Sequence, residues 1–266
     1  MSLYREIFEG ALETIITNAR YPRETVLNRF ERFNHFDFEK LDDKRLFQIL
    51  AWIPFFANVK STIVAAKNET IMACFPDYST VARYRADDLE RICDALSSIR
   101  HPRRKIEAVY ANARMVERLV SQHGSFKAFL RSLNFNRSAQ DLERAAKILS
   151  RLFKYLGPVT VHHFLTEIGA NTIKPDLVIM REFTRLGLVK DETCIDEARR
   201  VCNHVAEETG LSHRYVDIVL VKLGHMGDDL DIGFPKGICL ERNPQCNQCL
   251  LLNHCPFGRN MSMDRT

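Results

Sequence analysis

Four cysteines near the end of the chain have the spacing of a metal site. They form a C-x6-C-x2-C-x5-C array in which four thiols fall within seventeen residues: Cys239, Cys246, Cys249 and Cys255. Thiolates so close together can surround one centre, either a zinc ion or an iron–sulfur cube. A zinc ribbon usually has two C-x2-C pairs, and this array has one. The spacing therefore predicts a metal centre and leaves the choice between the two open.

A carboxylate that follows a tight turn between helices is the second candidate for chemistry. Residues 142–169 have the pattern of helix, turn and helix, with the turn at 156–159. In that turn Gly157 permits unusual backbone angles, and Pro158 suits the first position of a helix. The free N–H groups at such a helix start suit a phosphate. Asp176 begins the next helix, where it either caps the helix or acts as a catalytic carboxylate.

The elements that must position these residues are helices. Apolar residues recur at three- and four-residue spacing in residues 106–120 and again in residues 142–156. No stretch shows the sustained alternation of a strand, and no tight turn joins two such stretches. The sequence therefore predicts an all-α protein. We expect two packed lobes, with the N-terminal helices folded against the C-terminal half of the chain.

Composition and charge are those of an ordinary globular protein. Hydrophobic residues make up 45% and charged residues 27% of the 266 residues. No apolar run approaches the roughly 20 residues of a membrane helix, and no secretory or transit signal is visible. We therefore expect a cytoplasmic protein, nucleoid-associated if it is bacterial, with no membrane partner. The net charge is a mild +4, but one basic run either neutralises phosphates or is a solvated helix start: Arg100, His101, Arg103, Arg104 and Lys105.

Three parts of the chain together resemble one superfamily of DNA repair enzymes. The cysteine array is similar to the C-terminal loop of endonuclease III and its adenine-specific relatives, where it holds a [4Fe-4S] cluster. The turn at 156–159 and Asp176 resemble the helix–hairpin–helix and the catalytic aspartate of the same glycosylases. Residues 43–130 resemble 3-methyladenine DNA glycosylase I, for example at Leu46-Phe47.

The resemblance implies a particular domain organisation. One lobe, residues 38–170, is expected to be a barrel-like bundle of six helices that ends in the helix–hairpin–helix. The other lobe is expected to combine residues 1–37 with 171–266 and to carry the iron–sulfur loop at 239–255.

The resemblance also implies roles for single residues. Asp176 is expected to face an extruded nucleotide and to stabilise the oxocarbenium-like sugar while the N-glycosidic bond breaks. The four cysteines are expected to bind a [4Fe-4S] cluster, with zinc as the alternative. The residues expected to contact the DNA backbone are Lys154, Leu156, Gly157, Val159, Thr160, Arg103, Arg104 and Lys105. The candidates for the base pocket and for insertion into the duplex are Trp52, Phe55, Phe56, Asn58 and Ser61, with an ordinary aromatic core as the alternative for the aromatic ones.

Two departures from the superfamily pattern bear on activity. Bifunctional members carry a lysine just after the hairpin glycine, which attacks the sugar, and the aligned positions here are Pro158 or Val159. Where 3-methyladenine DNA glycosylase I has a base-reading glutamate and a tryptophan, this chain has Ile53 and Ser61. The substrate of that enzyme therefore does not carry over directly.

These observations predict a monofunctional base-excision DNA glycosylase. We expect a monomer that acts on a damaged base in double-stranded DNA, without efficient lyase activity at abasic sites. An alkylated purine is favoured as the substrate, because an electron-poor and often cationic base leaves easily and stacks well on aromatic rings. The alternatives are a glycosylase for mismatched or oxidised bases, and an iron–sulfur DNA-binding module that has lost its chemistry.

Overall fold

A computed structural model describes residues 2–59 and 61–263 of the chain, without the side chains of residues 61, 62, 262 and 263. Within the described residues the regular secondary structure is helical, apart from one isolated bridge between Asp229 and Phe234. The all-α prediction is therefore confirmed. The chain divides into two units, residues 37–170 and residues 1–36 with 171–266.

The α-helices are distributed over the two units in chain order. The unit formed by residues 1–36 and 171–266 begins with α1 (Leu3–Asn18) and α2 (Arg23–Glu31). Residues 37–170 contain α3 (Asp43–Trp52), α4 (Ser61–Ala66), α5 (Asn68–Cys74), α6 (Tyr78–Val81), α7 (Ala86–Ala95), α8 (Pro102–His123), α9 (Phe126–Ser132), α10 (Ala139–Leu152) and α11 (Pro158–Glu167). The chain then returns to the unit of residues 1–36 and 171–266. There it forms α12 (Leu177–Leu186), α13 (Ile195–Thr209), α14 (His213–Gly224) and α15 (Pro256–Met263). Short 3-10 helices lie at Phe38–Lys40, Ile53–Phe56, Cys246–Gln248 and Leu252–His254.

Each unit has its own apolar core. In residues 37–170 the core lies around α8, which turns Ile106, Val109, Ala113 and Val116 inward at the predicted spacing. Pro102 starts this helix, as expected for a residue whose fixed φ suits the first helical position. Burying each large aliphatic side chain contributes roughly 1.5–3 kcal/mol.

In the other unit the cysteine loop, which we define as residues 239–255, packs against the first helix. The N–H of Leu250 donates to the hydroxyl of Thr14 at 3.0 Å. The side chain of Leu251 fills the space beside Gly10, where a Cβ would lie 2.4 Å from Leu251 Cδ2. Helices α13 and α14 cover another face of α1. The small size of Gly10 therefore allows α1 and the cysteine loop to share one core.

No helix in the described part of the chain combines the length and the apolar character needed to cross a membrane.

Candidate functional site

Asp176 is the N-cap residue of α12. Its Oδ1 accepts the N–H groups of Val178 at 2.9 Å and Ile179 at 3.3 Å. Its Oδ2 lies 3.3 Å from Nζ of Lys174, and both side chains are 20% exposed. Asp176 can therefore cap α12 and also act as a catalytic carboxylate, because the cap uses Oδ1 while Oδ2 lies beside the amine of Lys174.

The turn before α12 is held by a buried carboxylate. Asp217, on α14, accepts the N–H of Lys174 at 2.8 Å and is ion-paired with Arg214 at 3.0 Å. Burial raises the pKa of Asp217 to about 6, although Arg214 acts in the opposite direction. The backbone N–H of Asp176 donates to the carbonyl of Lys174 at 2.8 Å. These contacts fix the position of Asp176. Neither Asp217 nor Lys174 was identified from the sequence as part of the site, because both act through contacts that only the folded turn creates.

The hairpin turn between α10 and α11 is clamped by Asn112 from α8. The buried amide of Asn112 accepts the N–H of Lys154 at 2.7 Å and donates to the carbonyl of Lys154 at 3.1 Å. Tyr155 follows in the left-handed region with φ 63°. A short polar side chain on a distant helix therefore sets the geometry of the turn, which sequence spacing alone did not reveal.

The hairpin residues that were predicted to contact the DNA backbone differ in burial and in the hydrogen bonds that their amides already make. The N–H of Gly157 donates to Thr160 Oγ1 at 2.8 Å, and that hydroxyl donates to the carbonyl of Tyr155 at 2.6 Å. The amide of Gly157 is therefore already used within the turn. The amides of Val159 and Thr160 belong to the first turn of α11, where a helix has no acceptor of its own for them. The side chain of Leu156 is buried and that of Lys154 is exposed.

The basic run before and within α8 is divided between surface and interior. Arg103 is exposed and forms ion pairs with Glu90 at 2.9 Å and Glu107 at 3.3 Å, and Arg104 is exposed. Lys105 is 2% exposed. Its Nζ donates to the carbonyls of Phe55 at 3.3 Å and Ala57 at 2.7 Å. The prediction that Lys105 contacts the DNA backbone is therefore wrong, because its amine is turned inward to hold the segment after α3.

The aromatic residues after α3 also separate into core and surface positions. Phe55 is fully buried and packs 5.7 Å from Phe75, so the prediction that it stacks on an extruded base is wrong. Trp52 and Phe56 are partly buried and meet edge to face at 4.3 Å between ring centroids. Asn58 is exposed with φ 56°, at the tip of the segment. The side chain of Ser61 lies outside the described residues.

A cavity of about 370 Å³ opens beside Trp52 in the unit of residues 37–170. The indole Nε1 of Trp52 is buried and has no acceptor in the part of the chain that the structure describes. Glu167, at the end of α11, brings a carboxylate that lies 3.6 Å from His163 Nε2. The lining residues are Arg45, Ile49, Trp52, Ala65, Asn68, Met72 and Glu167. A flat ring and a carboxylate are suited to a planar polar heterocycle.

The four cysteines of the array line one small cavity. Two polar groups contact their sulfurs: Arg185 Nη1 lies 3.4 Å from Cys239 Sγ, and the N–H of Gly258 donates to Cys255 Sγ at 3.3 Å. Burial raises the pKa of the Cys239 thiol to about 12. Within the described residues, no group of three or more His, Cys, Asp or Glu side chains has the arrangement for a single metal ion.

Helix α12 connects Asp176 to the cysteine loop. Arg181, one turn into the helix, donates to the carbonyl of Cys239 at 3.1 Å and to that of Gly224 at 3.0 Å. Arg185 donates to the carbonyl of Leu240 at 2.7 Å, and its guanidinium lies 4.3 Å from the ring centroid of Phe257. The helix that carries Asp176 at its start is therefore anchored to the cysteine loop by two arginines.

Comparison with solved structures identifies the fold. The 8-oxoguanine DNA glycosylase of Thermotoga maritima is 21% identical with a TM-score of 0.58, over 83% of this chain and 96% of that one. A trapped endonuclease III–DNA covalent intermediate is 15% identical with a TM-score of 0.58, over 98% of this chain and 100% of that one. The 3-methyladenine DNA glycosylase I of Staphylococcus aureus is 27% identical over 60% of this chain and 91% of its own, with a TM-score of 0.46. The first two matches show the fold, which is that of the helix–hairpin–helix DNA glycosylases.

A sequence profile identifies the family. The profile of the methyladenine glycosylase family matches residues 34–173, which is more than half of the chain. The chain therefore belongs to the methyladenine glycosylase family, and its class of activity is that of a base-excision DNA glycosylase. The predicted superfamily is thus confirmed. No curated protein matches the chain. The family match ends at residue 173, before Asp176 and the cysteine array.

Proposed function

We propose that this protein hydrolyses the N-glycosidic bond of a damaged base extruded from duplex DNA, with Asp176 as the catalytic carboxylate. The supporting observation is the position of Asp176, whose Oδ1 caps α12 while its side chain as a whole stays 20% exposed. A carboxylate held in this way is already in place when positive charge develops on the sugar, so it stabilises the charge without rearrangement. The same carboxylate can orient or deprotonate the attacking water.

Water is the proposed nucleophile for base release because the hairpin helix offers no amine. Helix α11 begins with Pro158 and Val159, at the positions where bifunctional members of the superfamily carry their lysine. Base release is therefore proposed to be hydrolytic, and efficient cleavage of the abasic strand is not expected from the hairpin.

The experiment that tests this function is base release from duplexes that each contain one lesion. The panel covers alkylated purines, oxidised bases, uracil and mismatches, and strand breaks are scored before and after alkali. We expect release from one lesion class, with breaks only after alkali, and a loss of about 100-fold or more in Asp176→Asn. Asparagine caps helices as well as aspartate does, so the variant should fold and bind DNA.

Asp77→Asn is the matched control, because Asp77 is also an N-cap residue and accepts the N–H of Thr80 at 2.9 Å. It should release the base at the wild-type rate. Full activity in Asp176→Asn would remove Asp176 from the mechanism. No release from any duplex, with DNA binding intact, would instead favour a module that binds DNA without chemistry.

An alkylated purine is the proposed substrate, and the cavity beside Trp52 supports this choice. A base that carries positive charge is attracted both by an aromatic ring and by a carboxylate, which Trp52 and Glu167 supply. In the lesion panel we expect Glu167→Gln to reduce release of a cationic base more than release of a neutral one. An equal effect on both would argue against recognition of charge by Glu167 and leave an oxidised or mismatched base as the substrate.

The proposed cofactor is a [4Fe-4S] cluster held by Cys239, Cys246, Cys249 and Cys255. The donor set fits such a cluster, because four thiols line one cavity and two N–H groups contact their sulfurs. Zinc is the alternative, but the array has one C-x2-C pair where a zinc ribbon usually has two. When bound, the cluster supplies a rigid cross-link within the loop that Arg181 and Arg185 attach to α12.

A further inference from the structure

An amine lies beside the carboxylate of Asp176, although the hairpin helix provides none. Lys174 Nζ is 3.3 Å from Asp176 Oδ2, and each of the two side chains is 20% exposed. A group that reaches the carboxylate can therefore also reach the amine. Base release by water, as proposed above, makes no use of the nucleophilic character of this amine.

The backbone holds the amine and the carboxylate on one short turn. The N–H of Lys174 donates to Asp217 at 2.8 Å, and the carbonyl of Lys174 accepts the N–H of Asp176 at 2.8 Å. Pro175 stands between them and restricts the backbone further, because its ring fixes φ. A nucleophile and a group that can accept and return its proton are thus positioned together before any substrate binds.

We infer that Lys174 is a nucleophile toward the abasic site that base release leaves in the DNA. The inference rests on the proposed function, because it requires the abasic sugar to lie at Asp176. In its ring-opened form that sugar has an aldehyde at C1′. A lysine amine forms a Schiff base with a carbonyl group of this kind. The same site would therefore first release the base and then act, more slowly, on its own product.

The reaction on the abasic sugar balances without an oxidant or a reductant. Asp176 accepts a proton from the Lys174 ammonium, and the neutral amine adds to C1′ to give a carbinolamine. Asp176 returns that proton to the carbinolamine hydroxyl, which leaves as water and gives the iminium. The carboxylate then removes a proton from C2′, and the C3′–O bond breaks with the 3′ phosphate as the leaving group. Water finally hydrolyses the iminium, frees Lys174 and leaves an unsaturated aldehyde on the broken strand.

The test uses a duplex with one preformed abasic site, so that it does not depend on base release. The full-length protein is incubated with this duplex and sodium borohydride, which reduces a Schiff base to a stable protein–DNA adduct. We expect an adduct with the wild type, and we expect peptide mapping to place it on Lys174. Lys174→Gln and Lys174→Arg should give no protein–DNA adduct, because neither side chain forms a Schiff base.

Lys190→Gln is the matched control, because Lys190 is exposed in the same unit of the chain and should form the adduct as the wild type does. Lys174→Arg keeps a cation beside Asp176, so it separates loss of the amine nucleophile from loss of the positive charge. A wild-type protein without an adduct overturns the inference. So does an adduct that persists in Lys174→Gln and maps to another amine.

The two proposals fail in different ways. An adduct on Lys174 without release of any base would support the inference on Lys174 and contradict the proposed glycosylase activity. Base release that Asp176→Asn abolishes, without any adduct on the preformed site, would support the glycosylase and overturn the inference on Lys174.

Discussion

The carboxyl group of Glu182 is buried on α12, and neither of its oxygens has a hydrogen-bond partner among the described residues. Glu182 is 1% exposed, and burial raises its pKa well above its ordinary value, although Arg181 acts in the opposite direction. A Cβ on Gly224 would lie 2.4 Å from Glu182 Oε1, so a glycine makes room for this carboxyl. An ionised carboxylate without hydrogen bonds is costly in such a site. The site therefore favours the neutral acid.

Glu182 should make the stability of the protein depend on pH. A raised pKa in the folded protein means that unfolding releases a proton, so the free energy of unfolding falls as the pH rises above the ordinary value of 4.5. One such group contributes at most about 1.4 kcal/mol per pH unit. Denaturant titrations between about pH 5 and pH 8 should show a smaller decline in Glu182→Gln than in the wild type. Glu192→Gln, at an exposed position, should keep the wild-type decline, and equal declines in all three proteins would contradict a buried acid at Glu182.

At the scale of elements, two interior side chains from α8 hold the surface segments proposed to meet DNA. Lys105 holds the segment after α3 through the carbonyls of Phe55 and Ala57. Asn112 holds the hairpin turn through both backbone polar groups of Lys154. Burial lowers the pKa of Lys105 to about 8, with a smaller contribution from Arg100. Helix α8 therefore acts as a rigid support for two segments that are far apart in sequence.

The salt dependence of DNA binding can show whether Lys105 supports the segment after α3 or contacts a DNA phosphate. Lys105→Met should weaken DNA binding by loosening the segment after α3, with an unchanged slope of log affinity against log salt. Arg104→Gln is the comparison, because Arg104 is exposed and is proposed to neutralise a phosphate. That variant should reduce the slope by about 1. A reduced slope in Lys105→Met would show that Lys105 contacts a phosphate after all.

The clamp on the hairpin turn can be tested in the same binding assay. Asn112→Ala removes two hydrogen bonds to Lys154 from the interior, which should lower the free energy of unfolding by roughly 1–3 kcal/mol. DNA affinity should fall as well, while the rate of base release at saturating DNA stays close to that of the wild type. Gln122→Ala, at an exposed position of α8, is the matched control and should change neither quantity. Unchanged stability in Asn112→Ala would contradict the clamp.

At the scale of the whole molecule, the cysteine loop belongs to only one of two separate cores. One core lies within residues 37–170 and includes α8 and the hairpin helices. The other is formed by α1, α2, α12–α14 and the loop residues that pack on them. Loss of a metal centre from the loop should therefore affect the second core, because the first has its own buried side chains.

Removal of one cysteine of the array should have a local effect. We expect wild-type protein to contain about four irons with matching sulfide, and Cys249→Ser to lose most of both. Hydrogen exchange should then become faster in α1, α13 and α14 and stay slow in α8. Cys93→Ser is the control, because Cys93 lies outside the array and should keep the iron and the exchange pattern. One zinc per chain would contradict the cluster, and equally faster exchange in both units would contradict a local role.

The sequence by itself determined the features that depend on short-range patterns. The all-α class followed from helical spacing, as in α8, since the side chains that share a helix face are separated by three or four residues. The superfamily could be predicted from motifs that lie close together along the chain, such as the hairpin turn and the cysteine array, and the family match over residues 34–173 confirmed it. Asp176 at a helix start could also be recognised, because a cap is a local signal.

Only the tertiary structure decided which side chains face inward and which distant groups meet. Lys105 and Phe55 looked suited to contact DNA, but their burial depends on the helices packed over them and not on their neighbours in sequence. The contacts of Asn112 with Lys154 and of Asp217 with Lys174 join residues about forty positions apart. The amine beside Asp176 is only two residues away, yet its direction depends on how Pro175 and Asp217 fold the turn. Side-chain direction is set by packing, and no spacing rule encodes it for an irregular turn.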